Sequence, residues 1–323
     1  MFNKIRAGLY RSLMLIAAIF TVAMIVPSII IFSTTLYQSY EDMAISKIDR
    51  SITDCRSFVN SVMTSTDNLA ANTTVKQTLN GENITNSLTE ILDNACNYSI
   101  KINAITVYDL NGNVYTSSGV SGSPELAELK NNAYLAEFFD DEDSQEYISL
   151  RTEYLTKIYD NAPYDANQGI LSCCKKVYSD SGDLLGYVFS DIFSSALFNY
   201  FNYSNDTYFN NSAAIIKYGG GYLASDLYSK YNEKMVNAET SISVTRIAGR
   251  MIVPSSRNFY GGTVYVAVPL TAFYQTVAIL SVLFVTLGAV VLLLVHVISK
   301  KNARKITDKL DELYDKMDTE INF

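Results

Sequence analysis

ILSCCKKVYSDSGDLLGYVFSDI, residues 170–192, decides how this chain is read. Ile170 to Tyr178 and Leu184 to Phe189 are rich in β-branched and aromatic side chains and flank the turn Ser181-Gly182, so the stretch reads as a β-hairpin. A helix is expected to start at Asp191. The same shape occurs upstream, where Ile105-Thr106-Val107-Tyr108-Asp109 and Val114-Tyr115-Thr116 enclose Asn111-Gly112, a dipeptide suited to the positive φ of a tight hairpin turn. It returns downstream as Ala213 to Tyr218, the glycines Gly219 to Gly221, and Tyr222-Leu223-Ala224, starting about 109 residues after the first hairpin. Ser241 to Thr245 and Thr263 to Val268 supply further strands, with Gly261-Gly262 as a turn, and the series ends at Pro269. Two small antiparallel sheets with helices, in tandem, fit this order, and the fold class is α+β.

Between the hairpins the pattern is weaker. A helix is expected near Asn86 to Tyr98, and the polar region after the first hairpin reads as irregular to about Gly169. Its acidic run Asp140-Asp141-Glu142-Asp143 lacks the alternating ligands and glycine of a calcium loop and reads as solvated.

Ahead of the first module, Ile45, Ile48, Ile52, Cys55, Val59 and Val62 recur at steps of three and four, and Leu69 returns to the phase after Thr66. That spacing predicts a long helix with a narrow apolar seam. Two readings stand for the seam: a dimer contact, or packing against the helix's own domain.

Further out lie two apolar runs. Val277 to Ile298 is 22 residues without a formal charge, interrupted only by Ser281, Thr286, Gly288 and His296, and Leu13 to Phe32 is its counterpart near the start. At about 1.5 Å per residue each crosses a hydrocarbon core of roughly 30 Å. Pro27 is tolerated in the first run as a kink in a membrane helix. A cleaved signal peptide is the alternative for that run, but its core is too long and no Ala-x-Ala site follows. Lys4, Arg6 and Arg11 precede the first run, and Lys300, Lys301, Arg304 and Lys305 follow the second. Both termini are therefore expected in the cytoplasm, with about residues 36–272 extracellular. In the tail Ile306, Leu310, Leu313 and Met317 continue a helical seam suited to a coiled coil, the second basis for an expected homodimer.

Composition excludes several functions. The segment between the runs carries 27 acidic against 16 basic residues, which argues against nucleic acid as a partner. The single histidine, His296, lies in an apolar run, and no P-loop, Gly-x-Ser-x-Gly or metal-ligand spacing is present. No catalytic activity, metal or cofactor is expected. Of the four cysteines, Cys55 and Cys96 read as buried thiols or as a disulfide pair, and Cys173 and Cys174 must face opposite ways along a strand.

Taken together, Val107 to Tyr115, Lys176 to Ile192 and Val264 to Pro269, in this order between two spans, resemble the double Cache family of tandem PAS-like sensing domains of bacterial receptors. The resemblance covers about residues 36–272. It implies a first span at 13–34 after a short terminus (1–12), a stalk helix (35–75), a membrane-distal module (76–205), a membrane-proximal module (206–272) and a second span (275–299). Residues 300–323 resemble the start of a HAMP linker, with Lys309 where a proline is usual and without the second helix.

What the resemblance implies for function is a transmembrane sensory receptor that binds a small extracellular solute and relays it through the second span. The ligand would be an amino acid, an amine or an organic acid. Asp191 matches the family's aspartate for a ligand ammonium, on the strand face of Tyr187, although it also fits as a helix cap. Arg151 and Tyr154, with Tyr147, loosely match a Tyr-Arg-Trp-Tyr cluster in a chain that has no tryptophan, and Arg151 reads equally as a surface residue. Tyr164 and Asp165 fall at the pocket edge. The rival reading is a membrane-anchored binding or adhesion module without signalling.

Overall fold

The computed structural model describes residues 2–82, 85–98, 102–118, 123–133, 135–151, 169–218, 221–226, 231–237, 244–247, 249–255 and 257–321. These form two compact units, one from Asp42–Leu270 and one from Met1–Glu41 with Thr271–Phe323.

The larger unit is built on helix α1 (Phe2–Ala71) from residue 42 onward. Ala44, Ile48, Ile52, Cys55, Val59, Val62, Thr66 and Leu69 follow one another at steps of three and four and are all buried. From Ile48 to Leu69 the stripe is covered by the chain itself, so packing against its own domain is the reading that holds for these residues, whereas Ile45, the first residue of the expected seam, is only partly buried and Ala44 takes its place in the stripe. Polar contacts mark its course: Thr66 donates to Ser190 Oγ at 2.7 Å, and Ser51 and Tyr203 hydroxyls lie 3.0 Å apart. Asn72 ends α1 and caps α2 (Thr73–Leu79), accepting from the Thr74 and Val75 amides. Helix α3 (Thr85–Tyr98) follows.

The first sheet contains β1 (Ala104–Asp109), β2 (Val114–Thr116), β3 (Glu146–Arg151), β4 (Ile170–Tyr178) and β5 (Leu184–Phe193) in the order β2-β1-β5-β4-β3. The second contains β6 (Ala213–Tyr218), β7 (Gly221–Ala224), β8 (Thr245–Ile247), β9 (Arg250–Pro254) and β10 (Thr263–Pro269) in the order β7-β6-β10-β9-β8. The two orders are identical, and every pairing is antiparallel. In each module a hairpin comes first and the last strand returns to pair with its first strand. The fold is therefore α+β with a long helix and two modules, as the sequence implied.

Three local expectations are corrected. Residues 191–193 extend β5 by pairing with Ile170 to Ser172, so the next helix, α6 (Ser194–Phe198), starts later and has Phe193 at its cap position. Asp191 is a strand residue, three positions ahead of that helix. The region read as irregular holds α4 (Leu126–Lys130), α5 (Ala136–Asp140) and β3; the alternation of Tyr147 and Ser149 with Ile148 is too polar to stand out from its surroundings. The strand expected at Ser241 to Thr245 is β8, beginning at Thr245, with 241–243 outside the described residues, and β9 lies beyond it. Helix α7 (Asn232–Val236) covers the second sheet.

All four cysteines are free thiols, so the disulfide alternative for Cys55 and Cys96 does not hold. Burial, with the nearby charges of Asp191 and Asp67, pushes the Cys173 thiol far up and keeps it protonated.

The smaller unit pairs α1 up to Glu41 with α8 (Thr271–Ile321), and both helices are long and apolar enough to cross a membrane. Gly288 lets them approach closely: a methyl there would overlap Ile25 Cδ1 and press on Thr21. Tyr37 and Phe273 meet edge to face with ring centres 5.6 Å apart. Past the apolar run α8 continues unbroken to Ile321, as the tail's periodicity predicts.

Candidate ligand-binding site

Strand β5 has one face toward α1 and one away from it. Ser190 meets Thr66 of α1, so the alternate residues Tyr187, Phe189 and Asp191 point to the opposite face. The strand register then gives that face in rows. Tyr187 lies between Tyr108 and Lys176, Phe189 between Thr106 and Cys174, and Asp191 between Ala104 and Ser172, with Ser149 beyond Ser172 on β3.

The first two rows are filled by aromatic packing. Phe138 of α5 stands edge to face with Phe189 and Tyr187, its centre 5.9 Å from each, and Phe139 lies 5.1 Å from Tyr187. Leu126, Leu129 and Leu135 complete this cluster with Tyr108 and Cys174. Lys176, buried beneath it, donates to the Asp141 carbonyl at 2.6 Å with its ammonium 5.5 Å from the Phe138 ring centre. The acidic run therefore serves as a loop that receives Lys176. Burial, and to a lesser degree Tyr178, raises the Tyr187 phenol above its ordinary value, so it stays neutral.

The third row is different. Asp191, Ser172, Ser149 and Ala104 are all buried, and their side chains are small apart from one carboxylate. Ser172 donates to Asp191 Oδ1 at 2.5 Å. A buried carboxylate held by the Ser172 hydroxyl beside Phe189 is suited to accept hydrogen bonds from a cation such as a primary ammonium.

The second module supplies an internal comparison. Ala213 pairs with Ala267, and Ala267 with Ile252, in the register positions where the first module has Ala104, Asp191 and Ser172. At these positions that face is apolar: Ala213, Ile215, Ala224, Ile252, Tyr265 and Ala267 pack against Met235 of α7, and Lys217, two residues further along β6, donates to the Val236 carbonyl at 2.8 Å. The same scaffold thus carries a buried polar row in one module and a plain hydrophobic core in the other.

Of the residues read from the sequence, Asp191 and Tyr187 share a face but stand four residues apart on one strand, roughly 13 Å. Tyr187 is wrapped in the aromatic cluster, whereas Asp191 lies in the polar row. Arg151 pairs with Ile170 in the backbone register of β3, and its side chain lies outside the described residues. Tyr154, Tyr164 and Asp165 also lie outside them. Ser172 and Ser149 were missed; the signal for Ser172 was its place two residues ahead of Cys174 on the strand facing Asp191. Among the described residues no group of histidine, cysteine and acidic side chains could hold a metal ion.

This architecture, two five-stranded modules of equal strand order along one long helix, is the double Cache fold of extracytoplasmic sensor domains. Solved structures of other proteins share it, two sensor domains among them. The extracellular domain of vpHK1S-Z8, named as a histidine kinase, matches with a TM-score of 0.56 at 12% identity, over 75% of this chain and 96% of that one. The ligand-binding domain of the Pseudomonas fluorescens chemoreceptor CtaA, in complex with L-isoleucine, matches with a TM-score of 0.51 at 11% identity, over 75% of this chain and 98% of that one. No protein-family model and no curated protein sequence matches the chain.

Proposed function

We propose that the chain is the input portion of a transmembrane sensory receptor and that its first module binds a small solute bearing an ammonium group, an amino acid or an amine. The observation that carries this is the buried Asp191–Ser172 pair, at positions where the second module has Ala267 and Ile252. A carboxylate out of water is stabilised by a cation or donors, and a ligand ammonium would add a cation to the Ser172 hydroxyl already bonded to it. The complex of the CtaA domain with L-isoleucine, an α-amino acid, supports the same ligand class for this fold. An organic acid without an amine fits the row poorly, because Asp191 would repel it.

In this reading the two apolar helices cross the bilayer, both termini face the cytoplasm and residues 42–270 lie outside, with the first module membrane-distal. Ligand binding favours one of two arrangements of the outer unit, and α8 carries the difference inward through a homodimer to a HAMP-like segment at 300–323. Such coupling is typically about 1–3 kcal/mol.

The test is calorimetric titration of the full-length chain in detergent with a panel of amino acids, amines and carboxylic acids. An amine-bearing compound binds, and Asp191→Asn weakens it by about 1.5–3 kcal/mol, roughly tenfold to a hundredfold. Unchanged affinity in Asp191→Asn, or binding confined to acids that lack an amine, overturns the proposal.

A further inference from the structure

At one end of the smaller unit, α1 and α8 leave a groove of about 380 Å³ between them, lined by Arg6, Ala7, Tyr10, His296, Lys300 and Ala303. On α8 the lining residues fall at steps of four and three, and on α1 Arg6 and Tyr10 are one turn apart, so each helix presents a single stripe. The alanines leave the space that larger side chains would fill. Tyr10 Oη and His296 Nδ1 lie 2.6 Å apart, their rings edge to face at 5.5 Å, and close one wall.

The chemistry of the lining is one-sided. Arg6 and Lys300 supply two positive charges, Tyr10 and His296 supply polar hydrogen-bonding groups, and among the described residues no carboxylate borders the groove. Among the described residues neither Arg6 nor Lys300 has an acidic partner, whereas Arg304 one turn further on reaches Asp308 at 3.7 Å. The position is equally specific. Tyr10 precedes the apolar run that starts at Leu13, and His296 stands two residues before the other run ends at Ile298, so the groove straddles the change from apolar to basic sequence. In a bilayer that is the depth of the phospholipid phosphates.

We propose that this groove is a binding site for the phosphate group of an anionic phospholipid, with Arg6 and Lys300 as the charge partners and Tyr10 and His296 as hydrogen-bonding wall. Guanidinium and ammonium groups are the side chains that hold phosphate oxygens, and a basic pocket between spans recognises an anionic headgroup better than a zwitterionic one. The site ties the start of the first span to the end of the second through one lipid. It rests on reading both helices as membrane spans.

Native mass spectrometry of the full-length chain in detergent, titrated with phosphatidylglycerol, phosphatidylcholine or inorganic phosphate, tests it. The wild type retains phosphatidylglycerol in preference to phosphatidylcholine. The double variant Arg6→Gln with Lys300→Gln binds phosphatidylglycerol about tenfold or more weakly. Ala7→Leu keeps every charge but fills the groove from an exposed position, and weakens it likewise. Equal phosphatidylglycerol retention in wild type and Ala7→Leu, or inorganic phosphate displacing the lipid at matched concentration, overturns the proposal. Flotation of all variants with phosphatidylcholine vesicles is the separate control: loss there in the wild type would undo the span reading itself.

Discussion

Gly186 and Asp191 sit on the same strand and constrain it in different ways. A methyl on Gly186 would collide with the Tyr108 carbonyl oxygen of the adjoining strand and press on Leu79 of α2. No rotamer relieves a Cβ clash with backbone, so Gly186→Ala forces β1 and β5 apart and costs about 1–3 kcal/mol, read as a lower urea midpoint of the detergent-solubilised chain. Asp191 has the opposite character under the proposed function: its carboxylate serves the ligand, and its replacement by asparagine is expected to change the midpoint little while binding falls. The sequence showed Asp191 and Tyr187 on one face because a strand alternates strictly. It did not show that Tyr187 is enclosed by Phe138 and Phe139, because that depends on a helix that five residues of modest amphipathicity do not announce.

At the level of elements, α1 is the spine and its attachments are polar as well as apolar. Lys47 pairs with Asp206, which also accepts from the Tyr208 and Phe209 amides and so fixes the turn that leads into β6. Burial acts to raise the Asp206 carboxyl, but the Lys47 hydrogen bond, the two amides and the Lys47 charge outweigh it and hold the group below its ordinary value of 3.8. A carboxylate depressed in the folded state contributes stability that is complete above its unfolded value and is lost as pH falls through the folded one. Asp206→Asn therefore melts below the wild type at pH 7, and the gap closes as the pH drops below 3.8 and through the depressed value. A gap that persists in full at lower pH would show that the turn geometry, not the charge, is what Asp206 supplies. The hairpins were legible for a physical reason: Asn111-Gly112 and Ser181-Gly182 place glycines at φ 90° and 92°, so the turn chemistry is written in two adjacent letters. Strand β3 was not, because Glu146 to Arg151 lies at a sheet edge, where one neighbour suffices and polar residues are tolerated.

For the molecule as a whole, the fate of the two periodic seams is instructive. The stripe on α1 from Ala44 to Leu69 is consumed inside the chain, whereas Ile306, Leu310 and Leu313 on α8 remain exposed. Periodicity alone could not separate the two cases, since both obey the same spacing. If the tail forms a parallel coil in a homodimer, cysteines introduced at Leu310 or Leu313 crosslink in membranes under mild oxidation, and one placed at the solvent-facing Glu312 does so less. Uniform or absent crosslinking would remove the basis for dimeric transmission. The shared strand order has a consequence for how such a module can vary. Because each module is entered and left through its two central neighbours, β1 with β5 and β6 with β10, whatever overlies the outward face is a detour launched from the sheet's rim. Detours can be lengthened, shortened or exchanged over generations while the sheet stays put, so the cover above the Asp191–Ser172 row is free to vary without disturbing the strand order beneath it.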